Sequence, residues 1–128
     1  MKVIAGRIGT DGNRVVSWWD ESGEHPLDLR LDLSSHSPTG FHWGYCGSGP
    51  AQLALAILAL VAEDDELACE GHQAFKRDVI ACIPQSMGWM LTDDSIKNWI
   101  TVYRNGDSLR LRPLLLLQKR MASWNAHG

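Results

Sequence analysis

Residues 38–50 read Pro38-Thr39-Gly40-Phe41-His42-Trp43-Gly44-Tyr45-Cys46-Gly47-Ser48-Gly49-Pro50, and an apolar run at 51–62 follows without a break. This junction decides the fold. Its glycines permit tight turns and close backbone approach, and Pro50 suits a first helical turn, where its missing N–H costs nothing. Beyond Pro50, Leu53, Leu55, Ile57, Leu58, Leu60 and Val61 surround the helix, and Gln52 is the main polar residue before Glu63. A helix apolar nearly all round belongs at the centre of a domain. Phe41, Trp43 and Tyr45 alternate, so they can project from one side of an extended segment. They can stack a base or grip a protein, but a hydrophobic helix needs a roof, and at least two of the three are expected to pack on it.

Toward the N-terminus, β-rich runs at 2–8 and 14–19 flank Gly9-Thr10-Asp11-Gly12-Asn13, a cluster suited to a hairpin turn. A second turn is expected at 21–24. Leu27, Leu29, Leu31 and Leu33 then alternate with Asp28, Arg30 and Asp32, which predicts a third strand with one apolar face. Toward the C-terminus, Asp64-Asp65 caps a second helix running to about Ile83, with Pro84 helping to stop it. Gly71 on its apolar side costs about 1 kcal/mol relative to Ala, so a neighbour is expected to pack closely there. Gly88-Trp89-Met90-Leu91 leads to Thr92, which caps a third helix with Asp93 and Asp94 in its first turn. Ile96, Trp99, Ile100 and Tyr103 form that helix's stripe, ending near Asn105-Gly106. Leu109 and Leu111 alternate with arginines, and Pro113 can then open a final helix through the leucines at 114–117 to Trp124; a strand then a helix, or a single helix, fits the pattern.

The fold class that follows is α+β: a small N-terminal antiparallel β-sheet packed on three to four α-helices around a central buried apolar helix. One domain divides into a β-rich part (1–33), a Gly/aromatic loop (34–49), a helical core (50–104) and a C-terminal extension (105–128). With 128 residues, 45% of them hydrophobic, the chain is long enough for a real core. Charged residues at 21% exclude wholesale disorder, and a net charge of -3 argues against a general nucleic-acid binder. Cys46, Cys69 and Cys82 are odd in number and lack CxxC spacing, and the last two fall at partly buried helical positions. A reduced, cytoplasmic protein is the expectation. The first residues lack a signal peptide's apolar core, and the run at 51–62 is too short to span a bilayer, so no membrane partner is expected.

The strings Asp32-Leu33, His36-Ser37-Pro38-Thr39-Gly40-Phe41, Trp43-Gly44-Tyr45 and Gly47-Ser48-Gly49-Pro50-Ala51-Gln52-Leu53-Ala54-Leu55-Ala56 resemble a bacterial, phage and mobile-element family, the domain of unknown function numbered 6166. Phe75-Lys76-Arg77-Asp78-Val79-Ile80-Ala81 and Trp89, Leu91 and Thr92 look like the same family's later landmarks. The resemblance covers about residues 25–100. It brings no catalytic residues with it. What it implies is a setting, that of small cytoplasmic accessory proteins of phages, plasmids and their hosts. Cys46 stands where the family pattern has glycine, and the last 25 or so residues are additional.

Four constellations can carry chemistry. Gly47, Ser48 and Gly49 at a helix start can present N–H groups to an anion, although the turn lacks the Lys and Ser/Thr of a P-loop. The plainer reading is a structural turn with Ser48 as the helix cap. Ser48 is outside the G-x-S-x-G frame, since Cys46 and Pro50 hold the glycine positions, and no acid partner can be assigned to His36, His42 or His72 as its base. His36, His42 and Cys46 lack paired ligand spacing, so neither a metal nor another cofactor is expected. Trp18 and Trp19 are strand neighbours and must face opposite ways, leaving one exposed unless another element covers it. Arg104, Arg110, Arg112, Lys119 and Arg120 gather in the last quarter, as a partner surface or a solvated face.

Together with the setting that the resemblance implies, these residues favour a non-catalytic accessory protein that binds a host protein or ribonucleoprotein, with a bacterial-defence inhibitor of anti-CRISPR type as the concrete form by analogy of setting. Interaction candidates are Trp18, Trp19, Arg104, Arg110, Arg112, Lys119 and Arg120. A homodimer through the hairpin edge or the leucine-rich tail is compatible with the pattern. The alternative is a small enzyme or anion-binding domain built on Gly47-Ser48-Gly49.

Overall fold

A computed structural model of the chain describes residues 1–106. Strands β1 (Val3–Ile8), β2 (Arg14–Asp20) and β3 (Gly23–Pro26) precede helices α1 (Ser48–Ala62) and α2 (Asp65–Asp78), and a 3-10 turn (Ile80–Cys82), strand β4 (Trp89–Thr92) and helix α3 (Asp93–Arg104) complete the order. The sheet is antiparallel throughout, in the order β3-β2-β1-β4. The α+β architecture expected from the sequence is the one observed. Its hairpin turn is closed by Gly9 N–H donating to Asn13 O at 2.8 Å, while Asp11 Oδ1 accepts from Asn13 N–H at 3.0 Å.

Period-two alternation sends Ile4, Val16, Trp89 and Leu91 to the same side of the sheet, where they join the core formed with α1. In α1, residues from Gly49 to Ala59 and Val61 are buried with the sole break at Leu60, so the helix is enclosed as its composition predicts. α2 packs beside it. Gly71 permits this approach: a Cβ there would lie 3.2 Å from Tyr103 Cε2 and 3.7 Å from Leu58 Cδ1. Asp64 Oδ1 caps α2 by accepting from Leu67 N–H, and Thr92 Oγ1 caps α3 by accepting from Ser95 N–H, as expected.

Four expectations need correction. Residues 27–33 are not a strand. Arg30 adopts the left-handed conformation (φ 54), its carbonyl accepts from Leu33 N–H at 3.0 Å, and its guanidinium bridges Asp32 and Asp65 at 3.0 Å each. The segment therefore turns back across the start of α2, burying Leu27 while leaving Leu31 exposed. Second, Trp89–Thr92 is a strand, not merely a lead into α3; it pairs with β1 through Val3↔Thr92 to Gly6↔Trp89. Third, α2 stops at Asp78, because Val79 leaves helical geometry (φ -123, ψ -62) and the chain tightens into the 3-10 turn. Fourth, Cys69 and Cys82 are exposed, as is Cys46: one lies on the outer side of α2 and the other in the turn that ends it.

Among the described residues, no helix is long and apolar enough to cross a membrane. Arg110, Arg112, Lys119, Arg120 and the leucine-rich stretch at 114–117 lie outside the described residues.

Candidate anion-binding cleft

The segment from 27 to 47 has no regular secondary structure, so its backbone polar groups need other partners. One side chain supplies four of them. Gln52, fully buried on α1, donates through Nε2 to Leu29 O and Ser34 O, and through Oε1 accepts from His36 N–H (2.7 Å) and Ser37 N–H (2.9 Å). Every hydrogen-bonding position of the amide is filled. The one buried polar residue of an apolar helix thus fastens the loop to the core.

Trp43 is the loop's second anchor. It is 0% exposed, meets Trp89 edge-on (ring centroids 5.7 Å apart), and donates from Nε1 to Met87 O at 2.9 Å. Gly44 follows at φ +88, where an added Cβ would sit 2.7 Å from the Gln85 backbone. Phe41 also packs on the core, whereas Tyr45 is 42% exposed. Two of the three alternating aromatics are therefore roof and one faces outward.

A cleft of about 630 Å³ opens between this loop, the β1–β2 turn and the start of α1. Arg14, Asn13, His42, Tyr45, Ser48 and Gly49 are among its lining residues, and among the described residues no Asp or Glu lines it. Arg14 Nη2 donates to Gln85 O at 2.8 Å, and the guanidinium lies 5.2 Å from the centroid of the Trp43 ring. Its Nε is buried and has no hydrogen-bond partner among the described residues, and no carboxylate there forms an ion pair with it. Ser48 is not the helix cap expected from the sequence. Gly47 occupies that position and no side chain caps it, so Ser48 and Gly49 contribute amides that α1 itself cannot satisfy. The helix N-terminus adds partial positive charge at the same place. The cleft thus brings an arginine and a helix start together, with Asp11 accepting from Asn13 at its edge.

His42 and Ser48 line the same cleft, while His36 lies elsewhere. His42 Nδ1 accepts from Trp43 N–H at 3.0 Å, and no hydrogen bond joins Ser48 to an imidazole among the described residues. His36 instead meets His72, Nε2 to Nε2 at 2.9 Å. Among the described residues no group of three or more His, Cys, Asp or Glu could hold a metal.

Trp18 faces the core side, stacked on His25 at 4.2 Å with Lys2 Nζ 5.7 Å from its centroid, and Trp19 lies on the opposite face. Both are half-buried, so neither is the fully exposed tryptophan the sequence allowed. Arg104 is exposed, with Nη2 3.7 Å from Asp64 Oδ2, beside an acidic cleft that includes Glu66 and Glu70. Arg14 escaped sequence reasoning because strand β2, not any motif, carries it to the helix start.

Neither a curated protein nor a solved structure matches the chain. The model of a family of unknown function, DUF6166, matches residues 5–102, and the chain belongs to that family.

Proposed function

We propose that this is a non-catalytic binding protein that takes an anionic group of another macromolecule, a carboxylate or phosphate, into the cleft above the start of α1. One observation carries the reading: Arg14, whose buried Nε has no hydrogen-bond partner and which forms no ion pair among the described residues, shares that cleft with the uncapped amides of Ser48 and Gly49. Charge-assisted hydrogen bonds to such a group are roughly twice as strong as neutral ones. For the rival, an enzyme using Ser48, no hydrogen bond joins Ser48 to an imidazole among the described residues. The partner we propose is a host protein or ribonucleoprotein met by a phage or mobile-element accessory protein, with inhibition of a defence complex as its consequence.

Affinity capture from host cells, with the wild type and Arg14→Gln in parallel, tests this. A specific macromolecule retained by the wild type, lost with Arg14→Gln and displaced by phosphate supports the reading. Undiminished capture by a folded Arg14→Gln protein, or no capture by the wild type, overturns it.

A further inference from the structure

Outside the cleft, His36 from the irregular loop and His72 from α2 face each other, with Nε2 atoms 2.9 Å apart and ring centroids 5.0 Å apart. His72 is buried, and its Nδ1 lies 2.8 Å from Cys69 O and 3.0 Å from Ala68 O. Carbonyl oxygens only accept, so Nδ1 carries the proton and a neutral His72 offers a lone pair at Nε2. His36 must then donate from its Nε2. An added proton can sit on His36 Nδ1 with this bond intact. A second would set two N–H groups face to face.

The surroundings give little help to positive charge. Lys76, on α2, repels a proton on His36, as does His72 once protonated. Ser34 Oγ (3.3 Å from His36 Nε2) and Gln73 Nε2 (3.4 Å from His72 Nε2) are neutral, and α1 contributes only the neutral Gln52 amide. No carboxylate is paired with either imidazole among the described residues.

We propose that the His36–His72 contact is an acid-sensitive latch, fastening the loop to α2 near neutral pH and letting go on acidification. Desolvation, with repulsion from Lys76 and from His72 once that ring carries a proton, holds the His36 imidazole below its ordinary range. The sign follows. With its basicity depressed in the fastened state, His36 is neutral in both states above about pH 6.5, and the latch is at full strength. As pH falls through 6.5 the released imidazole takes up a proton that the desolvated, fastened one resists, and a second proton, which puts hydrogen on both Nε2 atoms, cannot be held at 2.9 Å. Release is then favoured by up to about tenfold per pH unit for each proton taken up in excess. Gln52 holds the backbone of His36 and Ser37 by bonds that do not titrate, so acid removes one of two fastenings. Ser37, Thr39 and His42 of the same loop line the cleft; any effect on ligand binding rests on the reading of that cleft, whereas the latch does not.

Hydrogen exchange of the full-length protein without ligand, at pH 7.5 and pH 5 after correction for intrinsic rates, tests the latch. Amides at 34–42 are expected to lose protection at least several-fold at pH 5 while α1 does not. His36→Gln keeps a neutral donor for His72 Nε2 and is expected to remove that difference. If this variant fails to fold, imidazole titration of the wild type by NMR decides. A His36 midpoint below 6.5, coupled to the loss of protection, supports the latch. A midpoint at or above 6.5, or a pH response unchanged in His36→Gln, overturns it. Phosphate binding measured separately could fail with the latch intact, which keeps the two proposals distinguishable.

Discussion

Helix α1 and the segment leading into it lie against each other, yet they are held by different physics. α1 is kept in place by burial on nearly every side, a non-directional force spread over many side chains. The segment at 27–47 is kept by directional bonds concentrated on a few groups: the Gln52 amide, the Trp43 indole, the Arg30 bridge and the His36–His72 contact. Distributed burial degrades by increments under substitution. Concentrated polar anchoring fails at single atoms, because an orphaned buried group pays its full desolvation cost.

That contrast can be broken or sharpened experimentally. The largest effect is expected from Leu55→Asp, which puts an unpaired charge in the sealed centre of α1; the protein should lose its cooperative thermal transition by circular dichroism. Next is Gln52→Leu. It keeps an apolar side chain of similar length but strands Leu29 O, Ser34 O and the amides of His36 and Ser37. With about 1–3 kcal/mol for each group that water cannot reach, a loss of roughly 3 kcal/mol or more is expected in urea unfolding. Leu58→Ala, which removes only buried methyl groups, should cost about 2–5 kcal/mol yet leave the loop's amide protection unchanged. Equal loop protection in Gln52→Leu and wild type would erase the distinction between the two regions.

Gly44→Ala is expected to be milder, roughly 1–3 kcal/mol by thermal unfolding, through strain at φ +88 and contact with Gln85. The smallest effect lies outside both regions. Asp20 accepts first from Ser22 Oγ (2.6 Å), then from His25 Nε2 (3.1 Å) and Ser22 N–H (2.9 Å), which holds its carboxyl down to about 2. A depressed carboxyl stabilises the fold above its ordinary range, and that contribution disappears as pH falls through about 2. An NMR titration midpoint for Asp20 near the ordinary 3.8 would remove this prediction.

What could be read from the sequence divides along the same line. The enclosed α1, the caps Asp64 and Thr92, the first hairpin and the close approach at Gly71 each express a local rule or a periodicity, and each appears as expected. The alternating leucines at 27–33 obey a strand's periodicity and still form none. Arg30 turns the chain, and the Gln52 clamp takes the carbonyls of Leu29 and Ser34. Period two records which side chains want burial, and the backbone follows whichever partners its polar groups find. β4 was obscured because four residues leading into a capped helix carry too little alternation of their own. At the cleft, Gly47, Ser48 and Gly49 were visible as a helix start able to present amides. Arg14 was not, since sequence distance hides what a sheet brings together. The His36–His72 pair is concealed for the same reason, its members lying 36 positions apart.

The central claim is that the start of α1, with Arg14 above it, receives an anionic group. A titration of ¹⁵N-labelled full-length protein with inorganic phosphate, followed by NMR, tests it most directly. The account predicts saturable shifts of the Ser48 and Gly49 amides and the Arg14 Nε–H, all absent in Arg14→Gln. Saturation with those signals unmoved, or the same shifts persisting in Arg14→Gln, would contradict it.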